Sequence, residues 1–506
     1  MTLMTVLSQL FNFTTFLLTT GGVILGIIVG AIPGLSGPIG VALLLPFTYN
    51  MGAADSLLLL GGIYMGATYG GSISAILINC PGTGEAACTA IDGSALAKKG
   101  RAKEALFYSV FASCFGGIFG VLAMIFFTPL LVKVALQFGP AEMFLLAFAG
   151  LTVIGSLLGS SPAKGFLAVS IGLILSTVGM DTLTIGSQRI TFGIPQLYGG
   201  IPLIPVSVGL FAITEMLTLA SSNRKFIVEK LNDTKALTVL RDMSKRTWLL
   251  IKSTLIGTII GILPGTGGAI AAFVSYGEAG RSTKDRKSFG KGNIDGIIAP
   301  EAANNAAVGG SFVPLLSLGI PGSATSAIIF GALTMKGIQP GPALFADESG
   351  FVYIFMWGML LATLLMGFLG AIGAPVFAKV LKVRTNYLVC SILVFAIIGV
   401  YSSRNSLFDV LLACFFGAVG ILFKRVKIPV APVLLGLILG TTLEENLRRC
   451  MIIAEAKKVS TFLYIFKRPI SLIIFAFALF IIVANTISTA KARRTITAAQ
   501  ETEDEE

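Results

Sequence analysis

The sequence predicts an all-α polytopic membrane protein with two inverted-topology repeats, re-entrant hairpins, Pro-Gly-broken helices and about 10–12 transmembrane spans. Three observations predict it. Of 506 residues, 55% are hydrophobic and only 12% are charged, where a soluble chain carries about 25% charged residues; the mean hydropathy is +0.88. Apolar stretches long enough to span a bilayer follow one another along the chain. Two sequence blocks recur in the same order in the two halves. A dozen spans need roughly 240 residues, which this length supplies. A soluble enzyme, a disordered chain and a single-pass receptor are excluded.

In chain order, apolar stretches lie at 17–47, 56–79, 105–130, 143–160, 165–180, 201–220, 248–276, 305–333, 351–376, 386–401, 407–423, 430–442 and 469–487. Several contain Pro-Gly and need not cross. The organisation expected is a first membrane repeat at 1–220, a polar cytoplasmic linker at 221–247 and a second repeat at 248–442. An additional C-terminal helix region at 443–490 and a charged tail at 491–506 follow.

Lys and Arg number 37 against 25 Asp and Glu, a net charge of +12. The basic residues cluster between apolar runs, at 98–103, 224–246, 281–291, 379–384 and 424–427, and none precedes Lys98. That is a positive-inside pattern, not a nucleic-acid surface. It puts the N-terminus and the 48–56 loop outside, and 98–103, 224–246 and the C-terminus in the cytoplasm. With no histidine, His relays, Ser-His nucleophiles and His-ligated metals are excluded. Cys80, Cys88, Cys114, Cys390, Cys414 and Cys450 form no CxxC, so free thiols are expected rather than disulfides or a zinc site. No Walker-type GxxxxGK[ST] is present, and the N-terminus lacks the basic region of a cleaved signal peptide.

The repeat is explicit. LGIIVGAIPG at 25–34 matches IGTIIGILPG at 256–265, pairing Gly26, Ile28, Gly30, Pro33, Gly34 and Gly37 with Gly257, Ile259, Gly261, Pro264, Gly265 and Gly268. GGSISAILINCPGTG at 70–84 matches GGSFVPLLSLGIPGS at 309–323 with one residue inserted, and ALAKKG (95–100) and ALTMKG (332–337) follow. In the first half the loop between blocks has no basic residue and the segment after them is basic. In the second half 281–291 is basic, whereas Asp347 and Glu348 follow the blocks. The same elements therefore face opposite sides, the mark of an inverted repeat, with 17–47 and 248–276 as re-entrant hairpins.

A Pro-Gly break frees backbone N–H and C=O groups, which in lipid must be paired or line a wet cavity. A half-helix N-terminus suits a carboxylate; freed carbonyls and hydroxyls suit Na+. The structural breaks are Pro33, Gly34, Pro81, Pro264, Gly265, Pro321 and Gly322. Substrate-binding candidates around them are Ser36, Gly37, Ser72, Asn79, Gly82, Thr83, Thr266, Gly267, Ser323 and Thr325; Na+ candidates are Glu301, Asn304, Asn305 and Ser311. Against these stand plainer readings. Small residues permit close helix packing, and Asn304 and Asn305 can cap a helix or bond across helices. Glu85 and Asp92 fit the surface near 98–103 slightly better than the membrane. Arg189 and Arg404 fit exposed loops better than substrate attraction. Without histidine, proton coupling needs a carboxylate such as Glu301 or Glu85, and sodium coupling is favoured.

Four segments carry a family resemblance: GAIPGLSGPIGVALLLPFTY, TYGGSISAILINCPGTGEAACTAIDG, GILPGTGGAIAAFVSYGEA and APEAANNAAVGGSFVPLLSLGIPGSATSAIIFGAL. On them the chain resembles the large permease subunit of the tripartite tricarboxylate transporters, the TctA family, over roughly residues 15–490. The resemblance implies a bacterial inner-membrane system with a periplasmic solute-binding protein and a small transmembrane subunit as partners. It implies uptake of citrate and other small di- or tricarboxylates, driven by an ion gradient rather than ATP. The motif positions carried over are Pro33, Gly34, Gly37, Gly71, Ser72, Asn79, Pro81, Gly82, Pro264, Gly265, Gly268, Glu301, Asn304, Asn305, Gly310, Pro321 and Gly322. The expected function is thus the transmembrane permease of a binding-protein-dependent secondary transporter. It is not an enzyme, needs no cofactor beyond Na+ as coupling ion, and contacts membrane lipid but no nucleic acid. Alternatives are a stand-alone carboxylate symporter or channel, an intramembrane protease (for which no GxGD is evident), and a structural subunit without a site.

Overall fold

In lipid the helix alone satisfies its own backbone within one segment, and helices carry this chain. The computed structural model describes residues 3–157, 161–181, 187–220, 234–283, 285–345, 350–380, 385–476 and 478–480. The 221–233 part of the linker, Asp347, Glu348 and the charged tail lie outside them. The first helices are α1 (Leu3–Leu10), α2 (Phe13–Ala31), α3 (Gly37–Leu44), α4 (Ala53–Ile78), α5 (Ala87–Leu96), α6 (Ala102–Ala135), α7 (Pro140–Leu157) and α8 (Pro162–Ser176). A two-residue ladder pairs β1 (Gly179–Met180) with β2 (Gln188–Arg189), antiparallel, Gly179 opposite Arg189. Then come α9 (Leu203–Ser207), α10 (Thr214–Ala220), α11 (Ala236–Met243), α12 (Thr247–Ile262), α13 (Gly267–Ser282), α14 (Asp295–Leu318) and α15 (Ala324–Met335). The last are α16 (Phe351–Val380), α17 (Thr385–Arg404), α18 (Leu407–Arg425), α19 (Val430–Ala456) and α20 (Thr461–Phe466).

The chain is all-α, and among the described residues 7 helical stretches are long and apolar enough to cross a membrane: Phe13–Ala31, Ala87–Ala135, Leu203–Ala220, Phe351–Gly373, Tyr387–Arg404, Leu407–Arg425 and Val430–Ala456. The helices α4 and α14 are long but fall outside this set. Glycine, serine, threonine and asparagine dilute their apolar content, and nearly every residue of both is buried in protein. The stretches read as 17–47, 248–276 and 305–333 are each two helices, interrupted at 32–36, 263–266 and 319–323.

The chain forms two compact units, one of Met1–Leu136 with Leu203–Ile421, the other of Gln137–Pro202 with Leu422–Glu506. In the first unit, α2 packs on α4 and α12 on α14. A side-chain carbon at Gly26 or Gly30 would overlap the α4 backbone at Ile63 or Ala67; one at Gly257 or Gly261 would overlap α14 at Ala303 or Ala307. The repeated glycines are thus the two helix crossings. α6 covers another face of α14, with Gly116 and Gly120 against Ala302 and Ala306.

The short helices after the second break are exchanged. α5 packs on α13 and α14, as well as on α4; α15 packs on α3 and α4, as well as on α14. The third repeated block also has matching contacts. Lys99 Nζ donates to the Lys291 carbonyl at 2.5 Å, beyond α13. Lys336 Nζ donates to the Thr48 and Tyr49 carbonyls at 2.9 and 3.3 Å, beyond α3. At the linker, burial works against the charge of Asp242. The Tyr108 hydroxyl at 2.7 Å and the Arg246 guanidinium at 3.2 Å outweigh it, holding this carboxyl below its ordinary value.

In the second unit α19 packs on α7 and α8, and Gly172 and Gly436 let α8 and α19 touch through backbone. Glu142, fully buried, is neutralised by Arg468 at 2.7 Å and bonded by Ser471 at 2.9 Å and the Gly139 N–H at 2.8 Å. Arg448 and Arg189 bind Asp181 and Glu444, tying the β1–β2 segment to α19.

Candidate functional site

The Pro-Gly breaks of the first unit end four helices and start four. The α4 helix ends at Asn79 (φ +51) and α14 at Gly319 (φ +70), both left-handed, the conformation that closes a helix C-terminus. The Gly265 N–H donates to the Gly322 carbonyl at 3.1 Å, joining the break after α12 to the break after α14. The Gly82 N–H donates to Gly71 at 3.3 Å and the Gly322 N–H to Ser311 at 3.4 Å, so both Pro-Gly turns fold back on their own long helices.

Around these breaks the predicted substrate residues fall into two clusters. In the first, Gly37 opens α3 beside Tyr64 and Thr325. A side-chain carbon there would lie 3.2 Å from Thr325 Oγ1 and 3.5 Å from the Tyr64 ring. The Tyr64 hydroxyl is 2.9 Å from Ser323 Oγ. Ser323 caps α15: its Oγ accepts from the Ser326 N–H at 3.1 Å, and Ser326 Oγ accepts from the Ser323 N–H at 2.9 Å. Ser36 precedes α3, half-buried, with no capping bond from its side chain.

In the second cluster, Gly268 at the start of α13 lies against the Asn304 amide, and a side-chain carbon there would lie 3.1 Å from Glu85 Cγ. Thr83 Oγ1 accepts from the Ala86 N–H at 3.3 Å, ahead of α5. Gly267 (φ +65) has open space where a side chain would be. Thr266 is spent on its own turn, its hydroxyl donating to the Leu263 carbonyl at 2.9 Å. At the helix crossings Ile63 and Ala67 meet Gly26 and Gly30 as Ala303 and Ala307 meet Gly257 and Gly261, an offset of 240 that carries Tyr64 onto Asn304. Pro81 and Pro321 lie the same distance apart, which carries Thr83 onto Ser323 and Glu85 onto Thr325.

The other predicted positions separate. Ser72 stands apart from both clusters, its hydroxyl donating to Glu301. Asn79 is exposed at the end of α4. Ser311 donates to its own helix at Val308, 2.8 Å. Asn305 donates to the Glu301 carbonyl at 3.1 Å, and its Oδ1 has no partner. Asn304 is 1% exposed, and neither amide atom has a partner. Pro33, Pro81 and Pro264 are half-buried, Pro321 and Gly322 buried, and Gly34 (φ +88) exposed at its turn.

Several expectations from sequence are corrected. Asp92 is not at the surface but fully buried, accepting from the Gly292 and Asn293 N–H groups at 2.8 Å each and from the Tyr276 hydroxyl at 2.9 Å. Glu85 is half-buried against the second cluster rather than exposed beside 98–103. Neither Arg189 nor Arg404 lies in an exposed loop as expected: Arg189 is half-buried in β2 and paired with Glu444 at 2.6 Å, and Arg404 is the exposed last residue of α17, paired with Asp409 at 3.7 Å. Sequence reasoning missed Tyr64, Thr89, Ser109 and Ser113. Ser109 and Ser113, one turn apart among apolar residues of α6, carried the only readable signal.

Residues 16–435 match the family described as "Tripartite tricarboxylate transporter TctA family". Two proteins of Agrobacterium vitis are similar. An uncharacterized 52.8 kDa protein in the TAR-I ttuC' 3' region is 37% identical over 436 residues, 86% of this chain and 86% of that protein. An uncharacterized protein in the TAR-II ttuC' 3' region is 40% identical over 199 residues, 39% of this chain and 82% of that protein. No solved structure matches the chain.

Proposed function

We propose, for a chain that belongs to the tripartite tricarboxylate transporter TctA family and is its membrane permease component rather than an enzyme, that it takes up small di- or tricarboxylates through the two clusters at the Pro-Gly breaks. A periplasmic solute-binding protein delivers the acid, a small transmembrane subunit accompanies the chain, and the bacterial inner membrane is its location. The halves are inverted-topology repeats, and α2–α3 and α12–α13 are re-entrant hairpins entering from opposite sides. Substrate carboxylates meet the starts of α3, α5, α13 and α15, where free N–H groups and the positive helix end favour an anion. Ser36, Gly37, Thr83, Gly267, Ser323 and Thr325 border that space. Movement of one part of the protein against another opens it to each side in turn. A Na+ or H+ gradient drives the cycle, with Glu301, Asn304 and Asn305 as the candidate ion residues.

The observation that carries this reading is the Asn304 amide. It is buried against Gly268 beside Glu85, its two amide atoms without a hydrogen bond, at the mirror position of Tyr64, which is bonded to Ser323. A buried amide with four unused hydrogen-bonding sites costs stability, and a polar solute supplies what the fold does not. The exchanged packing of α5 and α15 supports the repeat reading, because it brings each half's break to the other half's long helix.

The test is uptake of radiolabelled citrate and related acids into vesicles containing the full chain and its small subunit, with the cognate binding protein outside. Uptake is expected to need the binding protein and to fall when the sodium gradient is collapsed at fixed pH. Uptake at full rate without binding protein would favour a stand-alone symporter, and no uptake of any small carboxylate would refute the reading.

A further inference from the structure

Among the described residues three carboxylates, Asp92, Glu142 and Glu301, have no exposed surface, and the protein treats one differently. Asp92 accepts two backbone N–H bonds and a tyrosine hydroxyl. Glu142 meets an arginine. Glu301, on α14, is 0% exposed, and among the described residues no lysine or arginine pairs with it. Among the described residues, hydroxyls alone hydrogen-bond its carboxylate. Ser72 from α4 and Thr89 from α5 donate to Oε1, and Ser113 from α6 donates to Oε2 at 2.7 Å. Ser109, one turn before Ser113, stands beside the same carboxylate, is fully buried, and its hydroxyl has no hydrogen-bond partner. An isolated ionised carboxylate removed from water is very costly, and hydroxyl dipoles offset only part of that.

We propose that this cage is a binding site for one dehydrated monovalent cation of sodium's size. Two carboxylate oxygens and four hydroxyl oxygens converge there from α4, α5, α6 and α14. Oxygen is the ligand that hard cations take, and serine and threonine hydroxyls rotate to turn lone pairs inward. One negative charge balances one positive charge, which selects a monovalent ion. No nitrogen or sulfur donor joins the set, and no group of three or more His, Cys, Asp or Glu side chains suited to a metal occurs among the described residues. The proposal rests on the permease reading and narrows its candidate ion residues, Glu301, Asn304 and Asn305, to Glu301 with the hydroxyls around it; the Asn305 amide donates to its own helix instead. It also links the ion to the solute. Thr89 lies in the first turn of α5 and Glu85 just ahead of that helix, four residues earlier, while Glu301 precedes Asn304 by three along α14. A cation held by Glu301 and Thr89 therefore fixes α5 on α14 and holds Glu85 near Asn304 beside Gly268.

The experiment uses the detergent-solubilised full chain. Binding of radioactive sodium is measured directly, and thermal unfolding is followed in NaCl, KCl and choline chloride at equal ionic strength and pH. Sodium is expected to raise the unfolding temperature saturably, with little effect of potassium and none of choline. Glu301→Gln should abolish sodium binding. Ser113→Ala and Thr89→Ala should each weaken it by about tenfold, the loss of one ligand to a charged group, and Thr89→Ser should restore it. Sodium affinity unchanged in both alanine variants overturns the proposal, as does stabilisation that follows pH and ignores sodium, since the carboxyl then takes a proton. Should Glu301→Gln fail to fold, the Thr89→Ala and Thr89→Ser pair decides. The assay needs neither partner subunit nor carboxylate, so its failure leaves the permease reading standing. Intact sodium binding without any carboxylate uptake would sink that reading alone.

Discussion

Tyr64 and Asn304 hold matching places on the two long buried helices, yet their surroundings differ. Tyr64 lies beside Gly37 and shares a hydrogen bond with Ser323, itself locked in a capping box. Asn304 lies beside Gly268 with both amide atoms unpaired, and Glu85 stands where the first cluster has Thr325. The glycine contacts of the two helices are alike, but the side chains beside them differ. One cluster is tied together by its own bonds, a preformed frame. The other is left open and acidic, and reads as the place where a ligand completes the bonding. The comparison is useful because the two halves can be perturbed at equivalent positions.

The largest expected effect tests whether the scaffolds correspond at all. Gly30→Val and Gly261→Val each drive a side chain into the carbonyl face of the crossing helix. Each should destabilise by roughly 3 kcal/mol, seen as loss of folded protein in detergent or a large drop in unfolding temperature. If one is tolerated and the other is not, the two crossings are not equivalent and the symmetry argument breaks.

Asp92→Ala comes next. It strands the Gly292 and Asn293 N–H groups and the Tyr276 hydroxyl that now bind one carboxylate. The expected cost is about 2 kcal/mol, read from thermal unfolding. Sodium binding should survive in the protein that remains folded. A variant as stable as the parent would show that α5 is held by packing alone. Tyr64→Phe is milder: it removes the bond to Ser323 but keeps the ring packed on Phe312 at a centroid distance of 5.9 Å. About 1 kcal/mol is expected, and carboxylate uptake should fall less than in any change at Asn304.

Much of this was legible in the sequence because it is local. Pro33-Gly34 and Pro264-Gly265 break helices wherever they occur, and the glycine spacing in LGIIVGAIPG and IGTIIGILPG announced two close crossings. Glu301 and Asn304 stood out as polar residues inside an apolar stretch. What could not be read was partnership across the chain. Thr89 lies on a helix of only 10 residues, too short for a periodic signal. Its partner Glu301 lies 212 residues away. Asp92 follows a break and precedes a basic loop, so its charge fitted a surface. Only the fold reveals that the Gly292–Asn293 backbone closes over it. Tyr64 reads as an ordinary apolar-face aromatic until α15 is brought beside it from the other half.

Asn304→Leu is the smallest change in stability and the sharpest test of the difference between the clusters. Leucine has a similar volume, and the amide it replaces makes no hydrogen bond in the folded chain. Losing a bonded buried amide costs about 1–3 kcal/mol; losing an unbonded one relieves a desolvation cost instead. The unfolding temperature should therefore stay level or rise. Uptake in vesicles should fall by roughly tenfold, the equivalent of one hydrogen bond to a charged solute. A variant that loses stability along with uptake would mean the amide bonds within the protein after all, and that the open cluster is as structural as the closed one. A variant that keeps both would leave Asn304 without a role in the solute path, and Glu85 alone would then have to account for the asymmetry.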